Sequence, residues 1–319
     1  SNLQEEGYVV ESSFDRTTSR LNGNFYPTDW LTLGGDVNLS LSTSDGIGIG
    51  GSSIGNPFGF AKNIGSIYPV YVVDSQTGEI AKDEEGKPLY DRGEGYSEYG
   101  ILPRPIYAGR NALEELLLNS SITKSNTYGF RYNAGFNIIK GLELTLNYGQ
   151  DINDYFNKRY ENNLVGDGAP AGRYRETRYR RTVENFNQLL NYSNSFANHN
   201  LELTLGHESF DRHYSEVFGF KNTQTAVGIY EFANFATVAD LAGYSSDKTL
   251  EGYFGRLNYN FDEKYYLTAS ARRDGSSVFS RDVRWGNFYS VGGAWRIDKE
   301  SFMDDVESVS YTHLTLPTK

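Results

Sequence analysis

The chain has 319 residues and a formal net charge of −11, with 25 Tyr, 19 Phe and 34 Gly but one Met and no Cys. The acidic balance excludes a nucleic-acid footprint, which needs a basic surface, and the missing cysteines exclude a disulfide framework and thiolate metal sites. No apolar run approaches the ~18 residues of a membrane-spanning helix, so what is left is a strand-rich protein, either a soluble all-β domain or a transmembrane barrel, which hydropathy does not reveal.

Residues 1–16 are polar and acidic at their start, unlike a signal peptide, and read as the end of a loop or strand whose partner lies upstream. The first clear strand runs from about Thr17 to Tyr26, with Leu21, Gly23 and Phe25 alternating against Arg20, Asn22 and Asn24. A period of two is what a strand with two unlike faces gives. Pro27-Thr28-Asp29 makes a tight turn. From Trp30 to about Ser42 the alternation is cleanest, placing Leu31, Leu33, Val37, Leu39 and Leu41 on one face and Asp36 on the other.

Over residues 43–125 the alternation lapses, which predicts a long functional loop. Its opening run, Gly46 to Gly51, satisfies GxGxxG formally, but no βαβ unit follows and a dinucleotide site is not expected. The carboxylate-rich turns at Asp74 and Asp83 read as solvated loops, their spacing matching no EF-hand. Residues Asn111 to Leu118 predict a short helix closing the insertion.

Hairpin rhythm then returns. Tyr128, Phe130, Tyr132, Ala134, Phe136 and Ile138 alternate with Arg131 and Asn133; Lys140-Gly141 turns the chain; Leu142, Leu144, Leu146 and Tyr148 then alternate with Glu143, Thr145 and Asn147. A second loop is expected over about 152–177, running into the arginine-rich stretch Arg173–Arg181. That stretch suits either a solvated rim or the grip of an anion or sugar. Another hairpin turns at Ala197 to Asn200, with Glu202 opposite in sense to Leu201 and Leu203. A third loop is expected over about 215–248, with Phe218, Tyr230 and Phe232 among its aromatics. The last strands alternate Tyr253, Gly255, Leu257, Tyr259 and Phe261 against Phe254, Arg256 and Asn258, turn at Asp262–Lys264, and continue beyond a loop at about 274–284 to Ile297.

About nine strands are counted in this way, and their connections alternate between short (27–29, 140–141, 197–199, 262–264) and long. Nothing in a soluble sandwich requires this, whereas membrane barrels have short turns at one end and long loops at the other. The apolar faces carry no charge in their middles, while Asp36, Arg131, Glu143, Glu202 and Arg256 all fall on the opposite face. A charge facing lipid near the midplane costs about 2–4 kcal/mol. An odd number of strands leaves unpaired edges, so nine strands do not make a whole barrel. Carboxylates are abundant but no pair stands out as catalytic, the histidines are scattered, and neither an enzyme, a metal nor a cofactor is expected.

Four stretches carry a family resemblance: Gly252 to Phe261, Tyr266 to Ser277 (YLTASARRDGSS), Arg284-Trp285-Gly286, and Ser290 to Ile297. Together they resemble the barrel signature of the SusC/RagA family of TonB-dependent outer-membrane transporters. The resemblance implies an all-β antiparallel transmembrane β-barrel, of which residues 1–308 form part of a larger plugged barrel. It implies a nutrient importer of the outer membrane that takes up oligosaccharides or peptides. Its implied partners are a SusD-like surface lipoprotein and the TonB complex, reached through N-terminal segments outside this chain. Asp36, Arg131, Glu143, Glu202 and Arg256 are then expected in the lumen, with Phe218, Tyr230 and Phe232 reaching ligand or lid from loops. A passive porin or a surface adhesin would share the hairpins. Residues Val309 to Leu314 resemble a translated library adaptor, so 309–319 are expected not to belong to the native sequence.

Overall fold

The computed structural model describes residues 1–46, 56–65 and 67–303. Most of the GxGxxG-like run and all of residues 309–319 therefore lie outside the described residues.

Ten strands form one antiparallel sheet in which every strand pairs with its sequence neighbours: β1 (Asn2–Glu6), β2 (Ser13–Thr28), β3 (Leu31–Asp45), β4 (Ser120–Ile139), β5 (Leu142–Glu161), β6 (Arg173–Phe196), β7 (His199–Gln224), β8 (Phe235–Phe261), β9 (Tyr265–Ser276) and β10 (Trp285–Trp295). The sheet is open, with β1 and β10 as its edges. Open edges do not persist in lipid, so the sheet is part of a barrel wall. The tenth strand is β1, too short and too polar to show an alternation.

The turns expected at 27–29, 140–141, 197–199 and 262–264 all occur at one end of the sheet. At the Lys140-Gly141 turn, Gly141 has φ 82°, and a Cβ there would sit 2.2 Å from the Ser193 carbonyl oxygen, so only glycine fits. The other end carries the long connections, which are shorter than the sequence suggested. The expected loops 43–125, 152–177, 215–248 and 274–284 contract to 46–119, 162–172, 225–234 and 277–284 as the strands run on. The arginine-rich stretch is thus the start of β6, and Phe218 lies on β7.

Cross-strand register aligns the apolar positions on one face. One row runs Leu31, Phe136, Leu144, Leu190, Leu205, Gly255, Ala271 and Tyr289 across β3 to β10. Side chains of this face have no protein cover: Leu21 is 75% exposed and Val291 77%. A water-exposed apolar face of that extent is untenable, whereas lipid covers it at no cost.

This apolar face forms a belt that reaches Tyr128 on β4 and Trp285 on β10.

Among the described residues a core is found only at the long-connection end. Among the described residues the buried apolar side chains are Ile64, Val72, Ala81, Leu116, Tyr160, Val165, Tyr174 and Phe235, and none lies in the belt. Two helices sit there, α1 (Pro57–Ile64) and α2 (Ala112–Leu118). The second matches the helix expected from Asn111 to Leu118: the Asn111 side chain caps it by accepting from the Glu114 N–H at 3.1 Å. Its first-turn acids point inward, Glu114 to Arg92 and Glu115 to Arg110, both pairs bidentate at 2.6–2.9 Å. Arg110 also reaches Asp167 in the β5–β6 connection. This cap rests on strand extensions that stand clear of the lipid.

Candidate functional site

The face opposite the belt carries the strands' charged and amide side chains, interrupted by Phe210, Phe218, Phe254 and Phe288. Asp36 lies directly across from Arg131 on the neighbouring strand and accepts from Arg20 Nε at 2.6 Å, while Arg131 Nη2 donates to Asp151 at 2.6 Å. Charges of alternating sign thus run over β2 to β5. Farther round, Arg256 donates to Asn258 Oδ1 at 3.2 Å and Asn258 donates to Glu202 at 3.3 Å. Glu143 shares a register row with Asn191, Thr204 and Arg256 and accepts from Thr145 at 3.2 Å. The five charged candidates therefore sit on one face in two groups, strung along the wall rather than gathered at one point.

A cavity of about 590 Å³ opens on the same face, between β6, β7, β8, β9 and β10 and beneath the 277–284 connection. Alternation sends Asn185, Asn187, Glu208, Phe210, Arg272, Asp274 and Phe288 into it, and the connection adds Phe279, Val283 and Arg284. Arg272 organises the floor. Its Nη2 donates to Glu208 at 2.8 Å, its Nε to Asp274 at 2.8 Å, and its guanidinium lies 5.2 Å from the Phe254 ring. Gly252 makes room for this ion pair, since a Cβ there would stand 2.7 Å from Asp274 Oδ1 and 2.9 Å from Arg272 Nη2. Arg284 Nε is buried and has no hydrogen-bond partner among the described residues. The cavity thus offers aromatic walls, amide groups and fixed carboxylate acceptors. That mixture suits a ligand rich in hydroxyl or amide groups with some apolar surface.

None of the sequence-derived candidates lines this cavity. Phe218 lies on strand β7, half-buried on the polar face. Tyr230 and Phe232 are loop residues as expected, but they pack into the cap: the Tyr230 ring lies 4.2 Å from Tyr160, and Phe232 meets Tyr174 edge-on at 4.9 Å. Burial there pushes the Tyr174 phenol well above its ordinary value. Glu208, Arg272, Asp274 and Arg284 are the residues that sequence reading did not single out as a site. Arg272 and Asp274 fall inside the YLTASARRDGSS stretch, so a signal was present without a location.

Among the described residues no three His, Asp or Glu side chains group as metal ligands. The Asp74 and Asp83 carboxylates accept from backbone N–H groups of their own turns, at 2.7 Å from Gln76 and 2.8 Å from Lys87.

No family model matches the chain. Curated relatives do: a TonB-dependent receptor of Formosa agariphila is 26% identical over 96% of this chain, and the TonB-dependent receptor SusC of Bacteroides thetaiotaomicron is 34% identical over 41% of it. The chain is therefore similar to TonB-dependent receptors of the SusC kind. It spans 29% of the length of the first relative and 13% of SusC. Among solved structures the RagAB peptide transporter superposes with a TM-score of 0.68 at 23% identity, over 90% of this chain and 30% of that one, which establishes the barrel-wall fold. The SusC-like wall, with its belt outside and its polar face inside, is the frame in which the cavity is placed.

Proposed function

We propose that this wall belongs to an outer-membrane importer that takes up oligosaccharides or peptides, driven by TonB and covered by a SusD-like surface lipoprotein. The observation that carries the reading is the cavity on the polar face, with its Glu208–Arg272–Asp274 floor, set in a SusC-like wall. The long-connection end then faces outward and the short turns face the periplasm. Asp36, Arg131, Glu143, Glu202 and Arg256 line the lumen below the cavity, a polar track on which a hydrated ligand exchanges hydrogen bonds. What supports the reading among the relatives is that SusC is a TonB-dependent receptor and that RagAB, which shares the wall fold, transports peptides. Chemistry on the substrate is not part of the role.

The test is uptake by cells expressing the full-length receptor, with peptide mixtures and a panel of oligosaccharides supplied in turn. Arg272→Gln removes charge-assisted hydrogen bonds worth roughly 1.5–3 kcal/mol to whatever they hold, so about a tenfold or greater loss of uptake is expected at unchanged surface level. Deleting TonB abolishes uptake. Uptake that persists without TonB makes the wall a passive porin and overturns the proposal.

A further inference from the structure

Three arginines enter the interior of the cap, and they are not treated alike. Arg92 is neutralised by Glu114, and Arg110 by Glu115 and Asp167. Arg104 is more deeply buried than Arg92, at 6% exposure, yet it has no carboxylate within ion-pair distance among the described residues. Its Nη2 donates to the carbonyl oxygens of Tyr107 at 3.1 Å and Arg110 at 2.6 Å, and its Nε has no partner among the described residues. The rings of Phe60 and Tyr68 lie 5.7 and 5.9 Å from its Cζ. Asp91, a buried acid of the same region, directs its carboxylate to the Gly93 N–H at 2.7 Å.

Carbonyl dipoles and ring faces temper a buried guanidinium, but they do not supply a counter-charge. Arg104 also lines a cavity of about 480 Å³ between α1 and α2 whose walls are mostly apolar, with Phe60, Ile64, Tyr68, Val70, Leu113 and Leu116 among them. Its other polar wall residue, Asn111, is fully engaged, donating to the carbonyls of Val70 and Asp91 and capping α2. The cavity therefore presents one unneutralised cation in a greasy chamber of the size small ligands occupy.

We propose that this cavity binds a small monocarboxylic acid with an apolar body, its carboxylate paired with Arg104 and its hydrocarbon against the Phe60, Tyr68 and Leu113 walls. The acid supplies the charge that Glu114 and Glu115 supply to the neighbouring arginines. With Nη2 spent on two carbonyls, Nη1 is left to donate to the carboxylate, a charge-assisted hydrogen bond that an amide of the same shape does not reproduce. The site is separate from the lumen cavity and does not depend on what the receptor imports.

The experiment titrates the full-length receptor in lipid nanodiscs with 4-phenylbutyrate and with its uncharged amide, against empty nanodiscs. The acid is expected to bind and the amide to bind at least about tenfold more weakly, the loss of one charge-assisted pair. Arg104→Gln brings the two probes level, and Leu113→Trp, which fills the chamber and leaves the cation in place, abolishes binding of the acid. Equal binding of acid and amide by the native receptor, or no binding of the acid, overturns the proposal whether or not the Arg104 variant folds.

Discussion

The belt and the cap are built from one chain on opposite principles. In the belt, Leu21 and Val291 stay exposed, and regular hydrogen-bonded strands carry two faces that meet only lipid and lumen. In the cap, Val72, Val165 and Tyr174 are fully buried, and short helices and turns close around paired charges. The belt takes its stability from a solvent and from strands outside this chain. The cap has a core of its own. A disturbance in one should therefore read out differently from a disturbance in the other.

The largest expected effect breaks the cap alone. Arg110→Ala leaves Glu115 buried without its bidentate partner, and breaking a buried pair in this way costs about 3–5 kcal/mol. The cap should become protease-sensitive at residues 67–119 while the barrel keeps its folded mobility on unheated gels. Simultaneous loss of both would show that the two regions fold as one unit. The next effect breaks the belt alone. Leu146 sits mid-belt opposite Ala134, and Leu146→Arg should cost about 2–4 kcal/mol in urea unfolding from vesicles. Asn191→Arg, one residue along from Leu190 and facing the lumen, serves as the control and should change little. Equal costs at the two positions would reverse the assignment of the faces.

The same contrast explains what the sequence disclosed. Where one face meets lipid, alternation is forced, and Leu31 to Leu41, Tyr128 to Ile138 and Tyr253 to Phe261 were legible as strands with their turns. Where the strands leave the lipid both faces are polar, as in Arg173 to Arg181, and the period of two disappears although the strand does not. Each long loop was overestimated for that reason. The charged candidates were assigned to one face correctly because facing is local. The cavity was out of reach because Asn185, Glu208, Arg272 and Phe288 come together only through the register of β6 to β10, and the 277–284 connection folds over them. Phe232 was expected to reach ligand from its loop, but Gly219 leaves a space on β7 that its ring fills.

The smallest effect sharpens the account of the cap by pH. Burial holds the Glu115 carboxyl above its ordinary value of 4.5, with Asp167 adding to the rise, against the opposing pull of Arg110 and the Asn111 contact. A raised value in the folded state means that the fold binds this proton more tightly than the unfolded chain does. The stability that this confers is fully present below about pH 4.5 and is lost as pH rises through the folded value. Glu115→Gln removes the titration, so the native cap should exceed the variant in stability by most in acid, with the difference shrinking toward neutrality. Hydrogen exchange at the amides of Glu115 to Asn119, corrected for the intrinsic rate at each pH, measures it. A difference that instead grows with pH would mean that the attraction of Arg110 outweighs burial, and that this pair stabilises the cap as an ion pair rather than merely satisfying two buried groups.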